Sequence, residues 1–153
     1  MAQTGKAVTE KKTFSRATSV STDIKADPAI IWKLLTTASD YTRWNSTIVS
    51  LEGKIAPGEK IRLKSTLDPK RTFKLKVKEM DKKKRMVWGD AQGKRVYTLA
   101  SKGNGETTFT MYEKIGSPMF PLYKKYIPSF DTSFEHFAAD MKKEAEHIQN
   151  LKK

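Results

Sequence analysis

Three residues of this chain combine a reactive side chain with a position on the apolar parity of an alternating segment. In "TTFTMYEKI", Glu113 shares parity with Thr107, Phe109 and Met111. In "TFKLKVKEM", Glu79 shares parity with Phe73, Leu75 and Val77, and in "RVYTLAS" Arg95 shares parity with Tyr97 and Leu99. Successive strand residues point to opposite faces, so shared parity means a shared face. A carboxyl group at the end of an apolar cavity has its pKa raised by desolvation, which suits general acid/base work. Glu113 or Glu79 could then assist a reaction while Tyr97 or Arg95 polarises a carbonyl. The same placement also describes a Glu113 that merely pairs with Arg95 or a lysine at the rim of a sheet.

Other chemistries find little to work with. Cysteine is absent, which removes thiolate nucleophiles, disulfides and cysteine metal sites together. The two histidines, His136 and His147, are 11 positions apart and point well off the apolar stripe of the last helix. They lie about three helical turns from each other, so neither a joint metal site nor a general base is expected. No His/Asp/Glu cluster has metal-ligand spacing and no phosphate-binding glycine motif is present, so no cofactor and no metal are expected. The stretch "ASDYTRWNST" brings Tyr41, Arg43, Trp44 and Asn45 together without a base or nucleophile near in sequence. It reads as a wall and lid, with Arg43 or Asn45 as contacts to a ligand.

The elements that must position these residues follow from periodicity. Asp27 can cap and Pro28 can open a short helix carrying Ile30, Ile31, Leu34 and Leu35, which "TTASDYTRW" breaks and restarts. Before it, "SVSTDI" reads as a strand. After it, "KIRLKSTL", "TFKLKVKEM", "MVWGD", "RVYTLAS" and "TTFTMYEKI" alternate with short turns, the pattern of an antiparallel meander with one solvated face. Phe130, Phe134, Phe137, Ala138, Met141, Ala145 and Ile148 recur at helical spacing and form one core-facing stripe from Asp131 onward. The predicted fold class is therefore α+β: a curved antiparallel sheet of six to seven strands wrapped around a long C-terminal helix, with two short helices after the first strand. Residues 1–10 carry no pattern and read as a flexible tail, and 11–153 as a single domain.

This order resembles the START/SRPBCC superfamily, the helix-grip fold, and most closely its polyketide cyclase/dehydrase-type branch. The likeness rests on "STDIKADPAIIWKLLTTASDYTRWN", "SLEGKIAPGEKIRL", "TFKLKVKEMDKKKRMVW" and "NGETTFTMYEKIG". Ser46 departs from the proline that commonly follows Trp-Asn in that pattern. The resemblance implies a hydrophobic cavity between sheet and C-terminal helix, of roughly 300–1,000 Å³ if it is typical of small-molecule sites. Alternation supplies the same lining: Leu63, Phe73, Leu75, Trp88, Tyr97, Leu99, Phe109 and Met111 from strands. Phe130, Phe134, Phe137 and Met141 come from the helix, Met119, Phe120 and Tyr123 from the segment before it, and Trp44 and Asn45 from the rim. Any helix on any sheet needs such a stripe, so ordinary core packing is the competing reading of the same residues.

The chain has 30 Lys+Arg against 17 Asp+Glu, a net charge of +13. Lys60, Arg62, Lys64, Lys74, Lys76 and Lys78 fall on outward positions of two adjacent strands, and the "KKKR" turn extends them. Weak, salt-sensitive contact with anionic lipid, nucleic acid or a chaperone partner is expected of such a face. Solvation alone accounts for it equally. No stretch approaches the roughly 20 apolar residues of a membrane span, and no signal peptide is evident, so a cytoplasmic monomer is expected. The leading expectation is a module that binds a hydrophobic or amphipathic small molecule: a lipid, a polyketide-like compound or an isoprenoid. A cyclase/aromatase-type enzyme using the same cavity is the first alternative, and a basic-surface interaction protein the second.

Overall fold

The computed structural model describes residues 4–152. The first surprise is at the N-terminus. Val8–Lys11 (β1) pairs antiparallel with Ser15–Ile24 (β2), where a tail over 1–10 was expected; residues 1–3 lie outside the described residues. Its side chains show no buried alternation, so only its backbone pairing marks it as a strand.

Asp27 caps the next helix, Pro28–Thr36 (α1), its Oδ1 accepting from the Ala29 amide at 2.8 Å. Thr37 leaves helical geometry, and one turn over Ala38–Asp40 leads into Tyr41–Trp44 (α2). The meander then runs Ile48–Glu52 (β3), Lys60–Ser65 (β4), Asp68–Asp81 (β5), Arg85–Gly89 (β6), Gly93–Gly103 (β7) and Glu106–Gly116 (β8). β4 stops at Ser65, whose hydroxyl accepts the Leu67 amide at 3.1 Å and so turns the chain before the alternation reaches Leu67. A single turn, Phe120–Tyr123 (α3), precedes the long helix Asp131–Leu151 (α4).

All strands form one antiparallel sheet in the order β1-β2-β8-β7-β6-β5-β4-β3, eight strands rather than six or seven. α4 packs against it through Phe134, Phe137, Ala138, Met141 and Ala145, the stripe the periodicity predicts. This is the α+β helix-grip arrangement. Polar bonds fix the helix along its length. Asp140 accepts from the Ser46 amide at 2.8 Å and hydroxyl at 2.7 Å, Glu146 from the Lys25 amide at 2.9 Å, and Gln149 from the Asp27 amide at 3.0 Å. A proline at position 46 has no N–H to give Asp140, so the departure from the family pattern supplies a tether.

Candidate functional site

The space between the middle of the sheet and α4 is filled. Phe137 stacks on Phe109 at 6.1 Å between ring centres and meets Tyr97 at 5.8 Å and Trp44 at 5.8 Å, while Trp88 meets Tyr97 edge-on at 5.1 Å. Ring pairs at these separations are favourable beyond their buried area. Leu99, Met111, Phe134 and Met141 complete the same core. Of the expected lining, Trp44, Tyr97, Leu99, Phe109, Met111, Phe134, Phe137 and Met141 are therefore packing residues. Large side chains converging from both layers close the centre, and the open volume is displaced to one end.

There, a cavity of about 210 Å³ lies between the sheet and the segment leading into α4. Its apolar wall is Leu63, Phe73, Leu75 and Trp88, with Ile115 beside them. Tyr123, Tyr126, Ile127, Pro128 and Phe130 roof it. Arg16, inward on β2, holds that roof: its guanidinium donates to the Pro128 carbonyl at 2.7 Å and lies 4.9 Å from the Phe130 ring centre. Tyr123 Oη shares a 2.8 Å hydrogen bond with Ser117 Oγ. Gly93 contributes no side chain, and a Cβ there would come within 2.8 Å of Ile115.

Arg95 and Glu113 form the polar end of this cavity. They face each other across β7 and β8, and Arg95 Nε donates to Glu113 Oε1 at 2.6 Å. Burial works against the arginine charge, but Glu113 and Tyr97 hold the guanidinium above its usual range. The ring of Phe134 lies 5.0 Å from its carbon. Its Nε is committed to Glu113, and the Tyr97 hydroxyl is a further hydrogen-bonding neighbour of the guanidinium. Tyr97 Oη is buried, and burial pushes its pKa up to about 12 against the opposing charge and hydrogen bonding of the neighbouring Arg95.

Other expected site residues stand elsewhere. Glu79 points out of the sheet, with 58% of its side chain exposed and Arg85 as its ion-pair partner at 3.5 Å. The register explains this: Val77 faces Trp88, but Glu79 faces Val87, so Lys78 is an extra residue and inverts the parity beyond it. Met80, not Glu79, turns towards the core. Met119 is 58% exposed, and Phe120 is buried beneath α3 against Tyr123, outside the cavity lining. Asn45 is structural, its Oδ1 accepting from the Thr47 amide at 3.0 Å and hydroxyl at 2.7 Å. Arg43 pairs with Asp40 and with Glu144, both at 2.7 Å, and so joins α2 to α4. Tyr41 is fully buried and donates to the Leu35 carbonyl at 2.7 Å. The stretch from Tyr41 to Asn45 thus supports the fold rather than the cavity.

Arg71, Ile127 and Pro128 line the cavity without having been expected there. Arg71 was legible: it shares parity with Phe73 and Leu75, and its guanidinium lies 4.5 Å from the Phe73 ring centre. The two roof residues carry no periodic signal.

A family model described as Activator of Hsp90 ATPase homolog 1-like protein matches residues 25–146. No curated protein matches. The fold is similar to a conserved protein of unknown function from Enterococcus faecalis, at a TM-score of 0.68 and 14% identity over 93% of this chain and 78% of that one. It is similar also to a START superfamily protein from Mycobacterium smegmatis, at 0.64 and 14% over 86% and 98%. The di-domain ARO/CYC StfQ from the steffimycin biosynthetic pathway aligns at 0.62 and 12% identity, over 88% of this chain and 46% of that one.

Proposed function

This chain belongs to the Activator of Hsp90 ATPase homolog 1-like family, of START/SRPBCC type, and we propose on that premise that it binds a compact amphipathic small molecule. The observation that carries the reading is the composition of the end cavity. Aliphatic and aromatic walls from β4, β5 and β6 meet a largely buried guanidinium at the polar end. Removal of apolar area from water supplies affinity, and a carboxylate or carbonyl on the ligand takes the Arg95 donors.

The volume narrows the class. At about 210 Å³ the cavity is smaller than the roughly 300–1,000 Å³ common for drug-sized ligands. An aromatic polyketide-like fragment or a short isoprenoid acid fits this better than a full lipid. No helix among the described residues is long and apolar enough to cross a membrane.

A second reading keeps the cavity and adds a reaction of cyclase type. It is favoured by the position of Glu113, a carboxylate on the wall beside a fixed cation. Turnover lost in Glu113→Gln with ligand affinity retained would identify it. The binding reading is tested by calorimetric titration with 1-naphthoate, a rigid apolar body with one carboxylate. Wild type should bind one equivalent. Leu75→Trp, which fills the cavity, should lose binding, and Arg95→Met with Glu113→Gln should weaken it at least tenfold. Unchanged binding in both variants would refute the assignment.

A further inference from the structure

The strand registers align four cations on the face of the sheet away from α4. Lys60 stands opposite Lys76, Lys76 opposite Gly89, Gly89 opposite Lys94, and Lys94 opposite Lys114. The four lysines therefore form one row across β4, β5, β6, β7 and β8. Adjacent strands lie about 4.8 Å apart, so the row extends over roughly 19 Å. All four are exposed, and none makes an ion pair among the described residues.

Solvation is an incomplete account of this arrangement. Like charges directly opposite one another destabilise a sheet, and the row repeats that juxtaposition at Lys60–Lys76 and at Lys94–Lys114. Lysines commonly protect exposed sheet edges, but β4 through β8 each have a strand on both sides. A Cβ on Gly89 would collide with the Gly93 carbonyl, so the centre of the row carries no side chain.

A groove of about 690 Å³ opens beside the β7–β8 end of the row, walled by Lys78, Lys94 and Lys114 and bordered by Phe14, Ser117 and Pro118. Asp90 is the sole acidic residue lining it, and its carboxylate accepts the amides of Gln92 and Gly93 at 2.9 and 3.0 Å. Phe14 is 57% exposed.

From the row, the groove and the free aromatic ring together, we propose that this face binds the phosphodiester backbone of a single-stranded nucleic acid. Lysine ammonium groups take phosphates as point charges, and Phe14 offers a base a surface for stacking. The exposed Phe14 ring beside the lysines favours a single strand, whose bases are free to stack, over a bilayer, which has no base to stack, and over a duplex, whose bases are already stacked. The groove adjoins the cavity, since Asp90, Gln92, Gly93 and Lys94 line both, but binding on this face does not depend on the cavity's ligand.

Fluorescence anisotropy with labelled 12-nucleotide oligothymidylate and oligouridylate, between 50 and 300 mM NaCl in about four steps, tests the proposal. Binding should saturate, with log affinity falling linearly in log salt by about 0.7 per phosphate contacted. Lys94→Glu with Lys114→Glu should weaken it at least tenfold, and Lys94→Gln with Lys114→Gln should flatten the salt slope by about 1.4. Phe14→Ala should weaken binding about 5- to 150-fold with the slope unchanged, while Lys143→Glu on α4 should bind as wild type. Equal competition by poly-glutamate, binding to phosphatidylserine vesicles without oligonucleotide binding, or row variants indistinguishable from wild type would each overturn it.

Discussion

Arg95 and Glu113 sit directly across from one another on β7 and β8, joined Nε to Oε1 at 2.6 Å with 11% and 18% of their side chains exposed. The pair is both the polar end of the cavity and part of its wall. It also lies against Phe134 of α4, so the same contact bonds the strands and presses on the helix.

Removing one partner leaves the other charge poorly solvated. Arg95→Met is expected to destabilise the fold by about 3 kcal/mol. The double substitution with Glu113→Gln should cost less than the sum of the two single changes, because no buried charge is left alone. Urea unfolding of the four proteins measures the coupling.

Phe137 and Phe73 separate packing from binding. Phe137 touches Tyr41, Trp44, Tyr97 and Phe109 in the filled centre. Phe137→Ala should lose about 3–5 kcal/mol of stability. Phe73 is only half-buried on the cavity wall, so Phe73→Ala should lose about 1 kcal/mol and weaken 1-naphthoate binding more than it weakens the fold. Denaturation and titration of both variants give the comparison.

Tyr97 predicts an alkaline limit. Its folded pKa, raised by burial to about 12 from an ordinary 10, means that the folded state holds the phenol proton more tightly than the unfolded state. The corresponding stability is complete below pH 10 and is lost as pH rises through 12. Burial likewise raises Tyr41 well above its ordinary value. Two of the five tyrosines should therefore ionise only as the protein unfolds, in absorbance at 295 nm followed against pH alongside far-UV circular dichroism.

Glu79→Gln should change neither ligand binding nor, beyond about 0.5 kcal/mol, stability. Its carboxylate is exposed beside Arg85 on the outer face. A loss of ligand affinity in this variant would mean that the β5 bulge is not where the register places it.

Local rules carried much of the architecture. The α4 stripe, the Asp27 cap and the alternation of β7 and β8 are properties of short stretches, and they recur in the fold as read. Glu113 opposite Arg95 was also within reach, since both follow from parity on strands that turn at "KGNGE". Glu79 was not, because the extra residue at Lys78 is defined only by its pairing with β6. The position of the cavity was hidden for a similar reason. Whether Tyr97, Phe109 and Phe137 line a space or fill it depends on how three separate elements meet. β1 lacked any signal, since a four-residue edge strand without buried alternation looks like a tail. The lysine row needs four registers at once, and a sequence prints none of them.

The central claim is that the Arg95 end of the sheet holds a small amphipathic molecule. Native mass spectrometry of the protein purified from its own cells, beside Leu75→Trp prepared identically, tests it most directly. Wild type should carry one defined co-purifying mass, extractable into organic solvent and absent from the filled variant. The same mass on both proteins, or wild type carrying nothing under conditions that retain weak ligands, would contradict it.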